Sequence, residues 1–206
     1  MSSRVRGTLG GIAVLVGLCT LPARGHQGEV APEILYALTS IDTVFTKQDL
    51  EAVLASPNEV AQLRELATGN YDFGLRLRAI RAIPHFCAEQ AVECRDAILA
   101  VLDYVDADDS RLPGQKILRL RAAIEALGAA RTGHPEDVMR LVAFLSDGSR
   151  DLRVAAIRAL RDLCDPAAIE PLRRRLIDGN GRPVETVKQV QLAIDEALTT
   201  LAQCGP

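Results

Sequence analysis

The sequence predicts an all-α protein: an α-solenoid, or superhelix, of about four helix pairs behind an N-terminal helical cap. Three observations carry that reading. Past residue 30 no stretch alternates apolar and polar residues at strand period, and apolar residues return at helical spacing instead. A nine-residue segment recurs at Leu75 to Ile83, Arg119 to Leu127 and Leu152 to Leu160, and more loosely at Val190 to Leu198. The offsets are 44, 33 and 38 residues, a period that suits one helix pair per repeat. A second apolar stripe also repeats: Val60, Leu63, Ala67; Ile98, Val101, Val105; Val138, Leu141, Leu145; and Ile169, Leu172, Leu176. Each set is spaced i, i+3, i+7 and so lies on one helical face.

The elements follow in chain order. Residues 1–25 read as a cleaved signal peptide. Arg4 and Arg6 precede an apolar stretch of 13 residues from Leu9 to Leu21, and Ala23 and Gly25 are small residues before a cut at His26. That stretch is short of the ~18 or more residues of a membrane span. Cys19 invites lipidation, but Leu18 is not the small residue a lipidation signal wants before its cysteine. The expected location is therefore outside the cytoplasm, in the periplasm or envelope of a bacterium, with no membrane span after cleavage. Residues 26–54 are helical by pattern (Ile34, Leu35, Leu38, Ile41; Leu50, Val53, Leu54) but lack the repeat and should cap the stack. Residues 55–206 form the repeat domain.

Within the repeats, Pro57, Pro113, Pro135, Pro166 and Pro183 are each expected in a first helical turn. Ser56 and Glu59 are spaced as a capping box, and Asp165 precedes Pro166 as an N-cap. Pro84 sits late in a first helix and should kink it. Gly148 and Asn180-Gly181 mark stops or turns. Ala79, Ala82, Ala123, Ala126, Ala156 and Ala159 are small where stacked helices must approach closely. Ile80, Ile124, Ile157, Leu141 and Leu172 should be buried.

The stretch from Leu145 to Leu160, continued through Asp165 to Leu172, has an Asp-bearing turn, then Leu-Arg-x-x-Ala-Ile-x-Ala-Leu, then Asp-Pro-x-x-Ile-x-Pro-Leu. This resembles the HEAT repeat family, and within it the HEAT-like repeats of phycobilisome lyases. The resemblance covers roughly residues 55–204. It departs from the pattern in the middle copy, where Leu120 stands in place of the arginine represented elsewhere by Arg76 and Arg153. In the family such an arginine commonly pairs with the acidic turn residue of a neighbouring repeat, for which Asp72, Asp147 and Asp151 are candidates. The resemblance implies a binding module whose second helices line a concave face.

Composition narrows the function. Apolar residues are 48% of 206 and charged residues 25%, enough for a core. Aromatics are 3% with no Trp, which argues against sugar clefts and base-stacking platforms. Net charge is −3, and with residues 1–25 removed 21 basic residues face 27 acidic ones, so nucleic acid is not expected. His26, His85 and His134 stand beside no Cys, Ser or Glu at a triad spacing, and no His-Glu dipeptide offers the iron site of HEAT-like hydroxylases. Neither catalysis, nor a metal, nor a cofactor is expected. Protein binding is the leading expectation. The rivals are a HEAT-like enzyme or accessory subunit of the phycobilin-lyase type, and a purely structural envelope spacer.

The candidate binding row lies two residues past the second-helix stripe: Glu65, Asp103, Ala143 and Arg174, running from acidic to basic, with Arg173 and Arg175 beside it. The next row is Leu66, Tyr104, Phe144 and Arg175. Tyr104 and Phe144 either form a contact strip or pack between repeats. The arginine run is either a ligand contact or a solvated face. The four cysteines past the leader are even in number, as an oxidising compartment favours, and too widely spaced for zinc. Cys87 and Cys164 share a repeat position, seven residues after Ile80 and Ile157. Cys94 lies across the turn from Cys87, and Cys204 ends the helix stacked beside that of Cys164. The expected pairs are Cys87–Cys94 and Cys164–Cys204.

Overall fold

The computed structural model describes residues 30–39, 45–108 and 112–204. The expected signal segment, with Cys19 and His26, lies outside the described residues, as does Ile41. Among the described residues the protein has ten α-helices and no strand, only an isolated antiparallel bridge between Ile177 and Pro183. The helices are α1 Pro32–Thr39, α2 Lys47–Glu51, α3 Glu59–Thr68, α4 Phe73–Ala82, α5 Ala91–Asp106, α6 Pro113–Ala130, α7 Pro135–Ala143, α8 Arg150–Leu163, α9 Ile169–Leu176 and α10 Lys188–Leu201.

The first helices of the repeats, α4, α6, α8 and α10, pack against one another in sequence, and α1 packs on α4 at the front of the row. The second helices are α3, α5, α7 and α9. Each packs most closely on the first helix that follows it: α3 on α4, α5 on α6, α7 on α8, α9 on α10. The unit of tightest contact thus straddles the written repeat. One continuous core runs from Leu38 to Leu201.

The register read from the sequence holds. Ile80, Ile124, Ile157, Leu141 and Leu172 are fully buried, and the six alanines are buried with them. Helices α6 and α8 approach closely. A β-carbon built on Gly128 would lie 2.5 Å from the α-carbon of Ala159, so only glycine fits there. In the fourth copy the isoleucine position is Asp195, and it is exposed. The inner face of α10 keeps Val190, Ile194, Ala197 and Leu201 in the core. Its outer face carries Asp195, Glu196 and Thr199, which suits the end of a stack.

Helix starts agree in part. Pro113 and Pro135 open α6 and α7, and Pro166 opens the short 3-10 turn before α9, where Asp165 Oδ1 accepts the Ala167 amide at 2.8 Å. Pro57 and Pro183 do not open helices. Pro57 follows a cis peptide bond and precedes the N-cap Asn58, and Pro183 sits in the bridge to Ile177. Ser56 is therefore not the N-cap of α3. Glu59 still meets the Ser56 side chain, and its carboxylate also reaches the next repeat, where it accepts Gln90 Nε2 at 3.1 Å. The capping box that does form is Thr46 with Asp49 at the start of α2. Pro84 ends α4 rather than kinking it, because without an N–H it cannot continue the ladder, and Ile83–Phe86 is a 3-10 turn. His134 occupies the N-cap of α7 but makes no side-chain cap bond.

Both expected cysteine pairs come within disulfide distance. Cys87 and Cys94 join the end of the 83–86 turn to the first turn of α5, with α-carbons 5.2 Å apart. Cys164 and Cys204 join the ends of α8 and α10, with α-carbons 5.6 Å apart.

Three outcomes follow from this packing. Ile157→Ala should cost ~2–5 kcal/mol in a denaturant melt through the cavity it leaves, and a loss below ~1 kcal/mol would mean the register is misplaced. Gly128→Ala should destabilise despite alanine's better helix propensity, because Ala159 backbone stands in the way. Gly114→Ala, in the same helix with nothing within 4 Å, should be neutral or stabilising by up to ~1 kcal/mol. Equal shifts at the two glycines would contradict the close α6–α8 contact. Unfolded, unreduced protein should take up no alkylating reagent at Cys87, Cys94, Cys164 and Cys204, and reduction should expose four thiols and remove about 3–4 kcal/mol for the 40-residue loop alone. Four alkylated thiols before reduction would exclude both bridges.

Candidate second-helix interface

The second helices are amphipathic, so packing their stripes on the core turns the remaining side chains outward. Glu65 on α3, Asp103 and Tyr104 on α5, Ala143 at the end of α7, and Arg173 and Arg174 on α9 are all exposed. Tyr104 keeps 45% of its surface in solvent. Phe144 is half-buried against the core, and Leu66 is buried, so the second row is not a continuous strip.

The charges on this row differ in their engagement. Asp103 pairs with Arg140 of α7, which ties α5 to the next repeat. Arg174 Nε donates to Glu170 at 2.8 Å, one turn back on α9. That pair is exposed at both ends, and such pairs contribute only about 0.3–0.5 kcal/mol. Arg173 is exposed and makes no ion pair among the described residues. Arg175 is different. It donates through Nη2 to Glu185 at 2.8 Å, and Arg153 of α8 donates to the same carboxylate through Nε at 3.1 Å. Burial of Glu185 raises its pKa, but the Val187 amide and the Arg175 and Arg153 guanidinium groups outweigh this and hold it below the usual carboxylate value. The triad anchors residues 177–187 onto α8 and α9. Arg175 is thereby committed to the interior network. Arg153 meets the acidic side chain of a neighbouring repeat at Glu185, not at Asp147 or Asp151. From its own turn it reaches only backbone, with Nη1 2.9 Å from the Asp147 carbonyl.

A further buried pair joins α5 to α7: Arg95 Nε donates to Asp137 at 2.9 Å, and Thr132 donates to the same carboxylate. Asp137 is almost wholly buried and is satisfied by these donors.

Between α7 and α9 lies a groove made of two adjoining clefts of about 410 and 370 Å3 that share Val142 and Pro171. One end is apolar, with Val138, Met139 and Ala167. The other carries Arg174, Arg175 and Val184. Met139 leaves 67% of its surface in water. The sequence reading passed over Met139, Val142, Pro171 and Val184. The signal for Met139 was present: it is a large apolar residue one position past Val138, off the stripe that the core needs.

Of the histidines described, His85 sits edge-on to Phe45 with ring centroids 5.9 Å apart, and His134 Nδ1 lies 3.9 Å from Glu136. Among the described residues no three His, Cys, Asp or Glu side chains gather at a metal-binding spacing, and no helix is long and apolar enough to cross a membrane.

No curated protein and no solved structure matches the chain. One family does, described as HEAT repeats, over residues 115–191. That segment runs from the first turn of α6 into α10 and holds both the Gly128 contact and the Arg153–Glu185–Arg175 triad. Residues 115–191 are thus similar to HEAT repeats, and the same register recurs outside that segment in α4, where Ile80 is buried as Ile124 and Ile157 are.

Proposed function

We propose that this chain is an exported protein-interaction module, without catalytic activity, that holds its partner on the face built by α3, α5, α7 and α9. HEAT repeats mediate protein–protein interaction, which is the general basis for the reading. The observation that carries it is the set of large side chains that the second helices leave in water, Val92 and Tyr104 on α5 and Met139 on α7. The first helices expose Leu118 and Leu192, but only the second-helix side has such a residue, Met139, in the groove between α7 and α9. Export is supported by the leader-like residues 1–25 and by two cysteine pairs at disulfide distance, and the periplasm or envelope of a bacterium is the proposed location. The proposed contact residues are Glu65, Asp103, Tyr104, Phe144, Arg173 and Arg174. Arg175, held by Glu185, supports the face from behind.

The purified chain, immobilised, should capture a partner from envelope extract. A double variant, Tyr104→Glu with Arg174→Glu, should lower that capture at least about tenfold, equivalent to ~1.4 kcal/mol. Arg158→Glu, at an exposed position on α8 in the opposite row, should leave capture unchanged. Equal capture by all three proteins, each with an unaltered melt, would remove the second-helix face from the reading.

A further inference from the structure

We infer that the groove between α7 and α9 is a docking slot for a short protein segment that presents apolar side chains followed by carboxylates. This rests on the protein-binding reading above and gives the chemistry of the partner at one place on that face.

The geometry supports a single bound direction. The groove is graded from an apolar end at Met139, Val138 and Ala167 to a basic end at Arg174. Val142 and Pro171 form the shared floor, so the two clefts are one path. A helix of eight or nine residues is about 12–14 Å long, a distance that about four extended residues cover. The slot thus suits a short linear segment. Met139 has the adaptable, polarisable side chain that suits a mobile apolar contact. Val184 adds a second exposed apolar wall at the basic end.

Charge selects acidic over basic partners through Arg174, since Arg173 is exposed but does not line the groove. Arg174 is held only by its exposed contact with Glu170, so exchanging that carboxylate for a partner's costs little. Arg175 stays with Glu185 and keeps the basic wall positioned. The remaining acid in the slot, Glu170, already faces Arg174, and Glu136 lies at the apolar end away from the arginines. The α9 arginines also offset the negative pole of their own helix, which explains their place in its last turn. That effect does not require the apolar trough leading up to them.

The test uses three labelled peptides and the purified full chain, read by fluorescence anisotropy. One peptide has leucines followed by glutamates, one has the same leucines followed by lysines, and one has serines followed by glutamates. The leucine–glutamate peptide should bind at least about tenfold more tightly than either of the others, and its affinity should fall with added salt. Arg174→Glu should reverse the preference between the glutamate and lysine peptides. Met139→Ser should weaken the leucine peptides and leave the weak serine peptide unchanged. Both variants change exposed side chains, and an unaltered melt is required of each. Failure of the leucine–glutamate peptide to bind, or binding indifferent to Arg174→Glu, would overturn the slot. If envelope capture then still depended on Tyr104, the face would stand and only the slot would fall.

Discussion

The approach of α6 to α8 is the constraint on which the rest of the structure depends. A single repeat cannot bury both sides of its first helix, so the core exists only when first helices stack closely. Small residues make that possible. Gly128 has no room for a β-carbon against Ala159, and Ala123, Ala126 and Ala156 are buried in the same two helices. Ile124 and Ile157 then fill the space the alanines leave, each without solvent exposure. The same grammar extends forward to α4 and ends at α10, where Asp195 replaces the isoleucine and the outer face meets water.

The second helices are held differently. Buried or half-buried polar contacts tie each repeat to its neighbour along this side: Glu59 with Gln90, Arg95 with Asp137, and Arg153 with Glu185. A buried charge is tolerable only when paired, so each of these contacts locks a spacing as well as satisfying a group. They occupy helix ends and inter-repeat edges. What they leave uncovered is the outward side of α5, α7 and α9, with Tyr104, Met139 and the α9 arginines. The surface proposed to meet a partner is the part of the structure that neither the apolar stripe nor the polar ties need.

The division of labour among the arginines shows how this works in one short helix. Arg173, Arg174 and Arg175 are consecutive, but helical geometry turns them about 100° apart. Arg175 falls toward Glu185 and is held there, half-buried at the basic end of the groove. Arg174 falls toward the groove and Glu170, and Arg173 toward solvent. A run of like charge in a sequence is thus three separate roles in space.

The sequence alone determined the helical class, the repeat register, the buried isoleucines and the cysteine pairs that meet. All of these are set by period along one helix or by equivalent positions in stacked repeats, and Cys87 and Cys164 show it most directly. Tertiary structure decided the rest. That Pro183 joins a bridge, that Glu59 reaches Gln90 of the next repeat as well as Ser56, and that Asp103 meets Arg140 depend on how neighbouring repeats are offset. So does the groove beside Met139, and so does the choice of Glu185 as the partner of Arg153, 32 residues away. A stripe of apolar residues defines which side of a helix is inward. It does not define how far the next helix is shifted or rotated against it, because that is settled only when side chains from several repeats are packed together.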